Sequence, residues 1–381
     1  MRATLLPYAH QTIDAQDVEA VGTALAGDWI TQGPTLARFE EALAAAAGIA
    51  HAVAFANGTA ALHAACWAAG LEPGDEAITT PLTFVATANA VVYQGARPVF
   101  ADIDRATLNL DPDAVKRVAT ARTRVLLPVD FAGLPCHYEA LLAVAREHGW
   151  TVIADAAHSL GGSYRGRPVG ALADMTILSF HPAKIITTGE GGAVLTDRAD
   201  LAERLRRMRH HGIGYVDRTR PWRYELEAPG NNYRLTDFQA ALGLSQLTKL
   251  DRFRAARERL AARYRARLAE FPFLELPALP DDRRHGWHLF LGLLRLERLT
   301  ASQDEVLRAL RAENIGVQLH YPLVYRHAFY RRRFGYGPGL CPVAEGIEAR
   351  LVTLPLFPAM SDADQDDVLR ALDKIGRHFG R

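Results

Sequence analysis

One short stretch holds the side chain on which the chemistry turns. Ser179-Phe180-His181-Pro182-Ala183-Lys184-Ile185-Ile186-Thr187-Thr188-Gly189-Glu190-Gly191-Gly192 begins where an apolar, β-rich run (Met175 to Phe180) ends. It sets a single lysine among apolar and small residues. Loss of hydration lowers a lysine's pKa and frees the amine as a nucleophile. Most loop lysines instead reach into solvent, so Lys184 needs companions before it means anything.

Two companions stand at the ends of other apolar runs. Asp155 follows Thr151 to Ala154, one strand–connection–strand unit ahead of Lys184. Asn57-Gly58-Thr59 follows the run His51 to Phe55 and precedes good helix formers from Ala60 to Ala69. A strand, a tight turn and a helix leave unpaired backbone N–H groups that bind phosphate. Thr59 could instead simply cap its own helix. A phosphate cradle, a strand-end aspartate and a desolvated lysine are together what pyridoxal 5′-phosphate requires. The lysine forms an aldimine with the aldehyde, and the aspartate keeps the ring nitrogen protonated so that the ring acts as an electron sink. Phe84 could stack on the ring, although a lone Phe is more often core. His158 could donate to the ring hydroxyl, or be an ordinary surface histidine.

The elements needed to position these groups follow a rhythm. Strands are expected at 51–55, 76–80, 98–103, 123–129 and 151–154, and helices at 84–94, 113–119 and 138–148. Asp14 reads as an N-cap before Val18, Val21, Ala24 and Leu25, and a second amphipathic helix runs from Leu36 to Ala47. Alternation of this kind gives an α/β fold, a mostly parallel sheet wrapped by helices. Ligands gather beyond the carboxyl ends of such strands, where Asn57, Asp155 and Ser179 all lie. Past residue 200 the pattern changes to helices at 201–210 and 237–267. A strand at 289–294, a helix at 303–311, a short strand at 317–321 and a terminal helix at 362–379 then suggest a smaller α+β unit. The expected division is 1–246 for the large domain with its N-terminal segment and 247–381 for the small one.

Bulk properties exclude several classes. With 44 Lys and Arg against 43 Asp and Glu, the net charge of +1 gives no reason to expect nucleic acid or an anionic membrane. Cys66, Cys136 and Cys341 match no metal-ligand spacing, and reduced thiols in a cytoplasmic protein explain them. No signal peptide or run of about 20 apolar residues is present, so a soluble intracellular protein is expected.

The ordered blocks "DWITQGP", "ANGTAALHAA", "TPLTFVATANAV", "VDFAG", "ADAAHSLG", "SFHPAKIITTGEGGAV", "GNNYRLTDFQAALGLSQL" and "LPLFPAMSDADQ" resemble the DegT/DnrJ/EryC1/StrS nucleotide-sugar aminotransferases. The likeness runs from Leu6 to about Leu372. It implies the aspartate-aminotransferase fold (PLP fold type I) and a lysine-bound cofactor that alternates with pyridoxamine 5′-phosphate. Carried over by position, the aldimine lysine is Lys184 and the ring-nitrogen aspartate is Asp155. His158 stands beside the ring hydroxyl, where relatives often have Gln, and Phe84 is the stacking aromatic. Asn57, Gly58, Thr59 and Ser179 bind phosphate. Asn232 would reach the phosphate of the partner subunit in an obligate homodimer. Members with histidine in place of the lysine dehydrate sugars, so the retained Lys184 favours transamination.

"LPYAHQTI", "ITQGP", His158 and "VQLHYPLVYRHAFYRRRFGY" are most similar to members of the pseudaminic acid pathway. These imply L-glutamate as donor and C4 of UDP-2-acetamido-2,6-dideoxy-β-L-arabino-hexos-4-ulose as acceptor. Tyr8, Trp29, Ile30, Thr31, Gln318, Leu319, His320 and Tyr321 would then meet the sugar nucleotide. Tyr8, His320, Tyr321 and Tyr325 form an aromatic, hydrogen-bonding set suited to a sugar and a uracil, or equally a piece of core. Other dTDP- or GDP-linked keto sugars aminated at C4 or C3, and a non-catalytic regulatory relative, remain open readings.

Overall fold

The computed structural model describes residues 2–214, 219–220 and 222–381. Seven strands make the central sheet: β1 (His51–Phe55), β2 (Glu76–Thr79), β3 (Arg97–Phe100), β4 (Thr123–Leu127), β5 (Thr151–Asp155), β6 (Met175–Ser179) and β7 (Gly192–Thr196). Their spatial order is β1-β7-β6-β5-β4-β2-β3. From β6 to β3 each neighbouring pair is parallel, while β7 runs antiparallel to β1 and β6. Helices cover both faces, which is why these strands are continuous apolar runs and not alternating ones. This is the expected α/β sheet of PLP fold type I.

The helices are α1 (Ala15–Ala26), α2 (Pro34–Ala47), α3 (Gly58–Ala68), α4 (Val85–Tyr93), α5 (Pro112–Val118), α6 (Tyr138–His148), α7 (Ala199–Arg209), α8 (Asp237–Leu247) and α9 (Leu250–Leu268). Asp14 caps α1 in a reciprocal box with Asp17, as its sequence suggests. At α3 the cap is Asn57, whose side chain accepts from Ala60 N, and not Thr59. An Asn in this place stabilises a helix start by about 1 kcal/mol over Ala. Asp237, the first residue of α8, is fully buried and accepts from Gly33 N at 2.7 Å and Thr35 N at 3.0 Å. It thereby caps α2 from another helix and ties the 29–33 loop to α8.

A second core gathers around β8 (Leu274–Glu275), β9 (Phe290–Leu294) and β10 (Leu351–Leu354), an antiparallel sheet backed by α9, α10 (Gln303–Ala312) and a later helix. Two short helices, α11 (Ala328–Phe334) and α12 (Pro342–Glu348), precede α13 (Asp362–Phe379). Leu6 lies in this second core and bridges to Ile315, so the N-terminal segment packs on C-terminal residues.

Two expectations are corrected. The helix read over 237–267 is two helices broken at Thr248–Lys249. The break turns Lys249 inward, where the buried ammonium pairs with Asp14 and with Asp17 at 2.8 Å. The strand read over 317–321 is only a single bridge, Gln318 to Thr353, after which the chain turns into the site described next. No described helix is long and apolar enough to cross a membrane.

Candidate active site

β7 begins where β1 and β6 end: Gly192 pairs with both Phe55 and Ser179. That register brings the start of α3 against Ser179. A Cβ on Gly58 would lie 3.2 Å from Ser179 Oγ, and one on Gly192 would sit 2.6 Å from the Asn57 carbonyl carbon. Gly192 is needed because backbone packs on backbone there, while Gly58 lies tight against the Ser179 side chain. The N–H groups opening α3 and the Ser179 hydroxyl therefore share one small cradle suited to a phosphate.

Asp155 ends β5 and is 5% exposed. Its Oδ2 accepts from Thr87 Oγ1 at 2.7 Å and its Oδ1 from Ala157 N at 3.2 Å. Thr87 has one hydroxyl proton, so Thr83 Oγ1, 2.8 Å away, is the donor to Thr87. Burial raises the Asp155 pKa, and the Thr87 bond pulls it back. Beneath it, buried Asp130 accepts from Ser159 Oγ at 2.6 Å and Tyr138 OH at 2.9 Å, which pins the turn between Asp155 and His158. Burial pushes the Asp130 carboxyl up to about 6.

Lys184 sits in a loop closed on itself by Thr188 N and Thr187 Oγ1, both donating to Phe180 O. Its pKa falls to about 8 through burial, with the Asp155 charge opposing. Its Nζ is 3.4 Å from His288 Nε2. The His288 ring lies 4.4 Å from that of His158, and His158 Nε2 lies 3.3 Å from Tyr321 OH. The Tyr321 ring is 5.9 Å from Phe84, which stands 55% exposed at the start of α4. Burial lowers His158 and His288 well below the usual histidine range, so both are neutral. A continuous wall thus runs from Lys184 through His288, His158 and Tyr321 to Phe84. His158 Nδ1 is buried without a partner among the described residues. A ligand oxygen placed there would satisfy it.

These observations pass a fit test for pyridoxal 5′-phosphate. The cradle suits its phosphate, Asp155 its ring nitrogen, the orphaned His158 Nδ1 its hydroxyl and Lys184 its aldehyde.

Of the expected sugar contacts, Tyr8 and His320 reach this wall. Their rings are 5.1 Å apart, and His320 Nδ1 lies 2.9 Å from Thr353 Oγ1. Leu319 packs on the same buried cluster as Tyr321, and Gln318 pairs with Thr353 through its backbone. Tyr325 is core: it is fully buried, bonded to Glu345 and packed on Phe100. Trp29 and Ile30 are 59% and 52% exposed on the loop clamped by Asp237, and Thr31 bridges Thr236. None of these three touches the wall around Lys184. Asn232 is exposed and bridges His210. The neighbouring Tyr233 O accepts from Ala56 N, immediately before the cradle.

Three functional neighbours escaped the sequence reading. Thr87 was hidden inside an apolar helix, and its spacing of four from Thr83 was the available signal. Arg257, buried in α9, donates to the carbonyls of Trp287 and Leu356 at 3.1 and 3.0 Å and so fixes the segment that carries His288 into β9. His288 itself opens the apolar run at Leu289, as Asp155 closes one, but nothing in sequence ties it to Lys184.

Residues 11–373 match the model of the DegT/DnrJ/EryC1/StrS aminotransferase family. The chain is 41% identical over 380 residues to the spore coat polysaccharide biosynthesis protein SpsC of Bacillus subtilis, covering 98% of each. Among solved structures it resembles Helicobacter pylori PseC, an aminotransferase involved in the biosynthesis of pseudaminic acid. The TM-score is 0.93 at 31% identity, over 99% of this chain and 100% of that one. It also resembles S. venezuelae DesV in complex with a ketimine intermediate, with a TM-score of 0.87 at 34% identity over 94% of each chain.

Proposed function

The chain belongs to the DegT/DnrJ/EryC1/StrS aminotransferase family, and on that premise we propose that it moves an amino group from L-glutamate to C4 of a UDP-linked 4-keto-6-deoxy-N-acetylhexosamine. As a sugar aminotransferase of this family it is a pyridoxal 5′-phosphate enzyme. The observation that carries the reading is the lysine–aspartate arrangement: Lys184 with a pKa near 8 behind an Asp155 buttressed by Thr87.

Bound pyridoxal 5′-phosphate supplies an aldehyde and an electron-withdrawing ring. The chain's residues do the rest. Asp155 holds the ring-nitrogen proton. The N–H groups after Asn57, with Thr59 and Ser179, hold the phosphate, and Phe84 covers one ring face. His158 Nδ1 engages the ring oxygen. Lys184, when its amine is free, would take the proton from the donor's Cα and deliver it to the carbon of the former aldehyde on the same face, acting first as base and then as acid. At pH 7 a pKa of about 8 leaves roughly one lysine in ten neutral, against about one in three thousand for an ordinary lysine.

Likeness to PseC supports UDP-2-acetamido-2,6-dideoxy-β-L-arabino-hexos-4-ulose as acceptor and a place in pseudaminic acid biosynthesis. Tyr8, His320 and Tyr321 make a chain of ring contacts continuous with the wall and suit a sugar and its base. We place Trp29, Ile30, Thr31 and Asn232 in the site of a partner subunit, since all four are joined to α8 or its approach and lie off this chain's own wall. The enzyme then works as a cytoplasmic homodimer, with residues 1–246 binding the cofactor and 247–381 closing over it. A panel of UDP-, dTDP- and GDP-linked 4-keto and 3-keto sugars, offered with glutamate and analysed by mass spectrometry and NMR, tests the substrate. Amination of the UDP-4-keto-6-deoxy-N-acetyl sugar at C4 is expected. Preference for a dTDP sugar or for C3 would reject that substrate.

A further inference from the structure

We propose that His288 is a positioning residue for Lys184, with its Nε2–H donating to the lone pair of the lysine amine whenever that amine is free. The proposal rests on the aminotransferase reading for its catalytic meaning and on geometry for its contact. Lys184 Nζ and His288 Nε2 are 3.4 Å apart, at the long end for a hydrogen bond.

His288 is held more rigidly than packing alone requires. Leu289 N donates to Ala132 O, and Gly286 N donates to Gly133 O at 2.7 Å. A Cβ on Gly133 would meet Trp287 N at 2.9 Å and His288 N at 3.1 Å. The segment before β9 is therefore docked flush on the turn that leaves β4. Arg257, fully buried, donates from one nitrogen to the carbonyls of Trp287, His288 and Leu356. The second core thus delivers one imidazole edge to the lysine of the first.

The proton's place follows from counting partners. His288 is 3% exposed and neutral, and its Nδ1 has no partner among the described residues. A proton on Nδ1 would bury an unsatisfied donor, while a proton on Nε2 leaves only an acceptor unmet, the milder of the two. With the proton on Nε2, His288 bonds a neutral amine and repels an ammonium, which has no lone pair to offer. Released Lys184 is thereby parked in the neutral form that a base requires. Once it takes a proton, the ammonium faces the His288 N–H, which favours passing that proton on. No atom is gained or lost by His288 in either step.

Two readouts test this. In full-length cofactor-free protein with 15N-labelled histidine, the His288 ring, assigned by its loss in His288→Gln, should show a protonated Nε2 above the Lys184 pKa of about 8, where the amine is mostly free. Its resonance should shift when Lys184 is changed to Met. An unprotonated Nε2, or a resonance indifferent to Lys184→Met, overturns the contact. In the holoenzyme, His288→Phe should lower kcat about 30-fold with both KM values within about twofold and the cofactor still bound. His288→Gln, which restores an N–H donor, should recover most of kcat. Equal losses in the two variants, or a loss confined to KM, would make His288 mere packing. Should the wild type turn over no keto sugar, the proposed function fails, while the NMR arm still decides the contact.

Discussion

Thr87 Oγ1 donates to Asp155 Oδ2 at 2.7 Å, and Thr83 in turn donates to Thr87, so the entry to α4 is a two-hydroxyl buttress for the carboxylate. A buried Asp155 is drawn toward its neutral form, and this bond opposes the drift.

Thr87→Val keeps the shape and removes the donor, so the Asp155 pKa rises further. The expected effect is a fall in kcat of about tenfold, equal to about 1.4 kcal/mol of lost preference for the ionised form. Steady-state kinetics across pH 6–9 would check it, with the loss greatest at the acid end. Unchanged kinetics would show that Asp155 needs no buttress.

Lys184 makes a prediction about cofactor capture. Its amine is available above a pKa of about 8. The rate at which cofactor-free protein takes up pyridoxal 5′-phosphate should therefore rise with pH and level off above about 8. A stopped-flow profile still climbing steadily to pH 10 would mean that Lys184 is an ordinary, hydrated lysine.

The cradle can be broken at a residue with no side chain to offer a ligand. Gly192→Ala drives a methyl into the backbone of Asn57 and Gly58, at 2.6 and 2.7 Å. Overpacking of this kind costs about 1–3 kcal/mol. Both the melting temperature and cofactor affinity should drop, whereas Ser179→Ala should weaken the cofactor about tenfold and leave the apo melting temperature alone. A cofactor dissociation constant unchanged in Gly192→Ala would separate the cradle from the phosphate.

Neutral buried histidines make the cofactor-free protein sensitive to acid. His320 falls to about 3 by burial, and His158 and His288 also lie well below their unfolded value near 6.5. Their stabilising effect is complete above pH 6.5. Below it the unfolded chain binds the protons that the folded chain refuses, so stability falls as pH falls. Each histidine forfeits about 2 kcal/mol between pH 7 and pH 5. Thermal melts at those two values should show the loss, and His320→Gln should make it smaller. An identical slope in the variant would mean that His320 is protonated in the fold.

Much of this site was legible because the sheet's logic is local. Runs such as Thr151–Ala154 and Met175–Phe180 announce strands, and Asp155 and Ser179 stand at their ends in sequence as in space. Asn57 to Thr59 and Lys184 could be placed for the same reason. What stayed hidden depends on contacts between distant segments. Nothing local separates Tyr325, which is core, from Tyr321, which is site, four residues apart in one aromatic stretch. The antiparallel run of β7, which sets Gly192 between Asn57 and Ser179, is a matter of pairing and not of composition. His288 meets Lys184 only because Arg257 and the Gly133 turn hold the segment before β9 there. The break at Thr248–Lys249 was likewise invisible, since residues 237–267 are helix formers and only the buried pairing of Lys249 with Asp17 requires the turn.

The central claim is that Lys184 carries the cofactor and works both halves of the reaction. The most direct measurement is the visible absorbance of the purified protein with pyridoxal 5′-phosphate, followed as L-glutamate and then UDP-2-acetamido-2,6-dideoxy-β-L-arabino-hexos-4-ulose are added. The account predicts a band from the lysine-bound cofactor that bleaches with glutamate and returns with the sugar. In Lys184→Ala the lysine-dependent band and turnover should both be missing, while pyridoxamine 5′-phosphate still binds. A Lys184→Ala protein with the same band and normal turnover would contradict it.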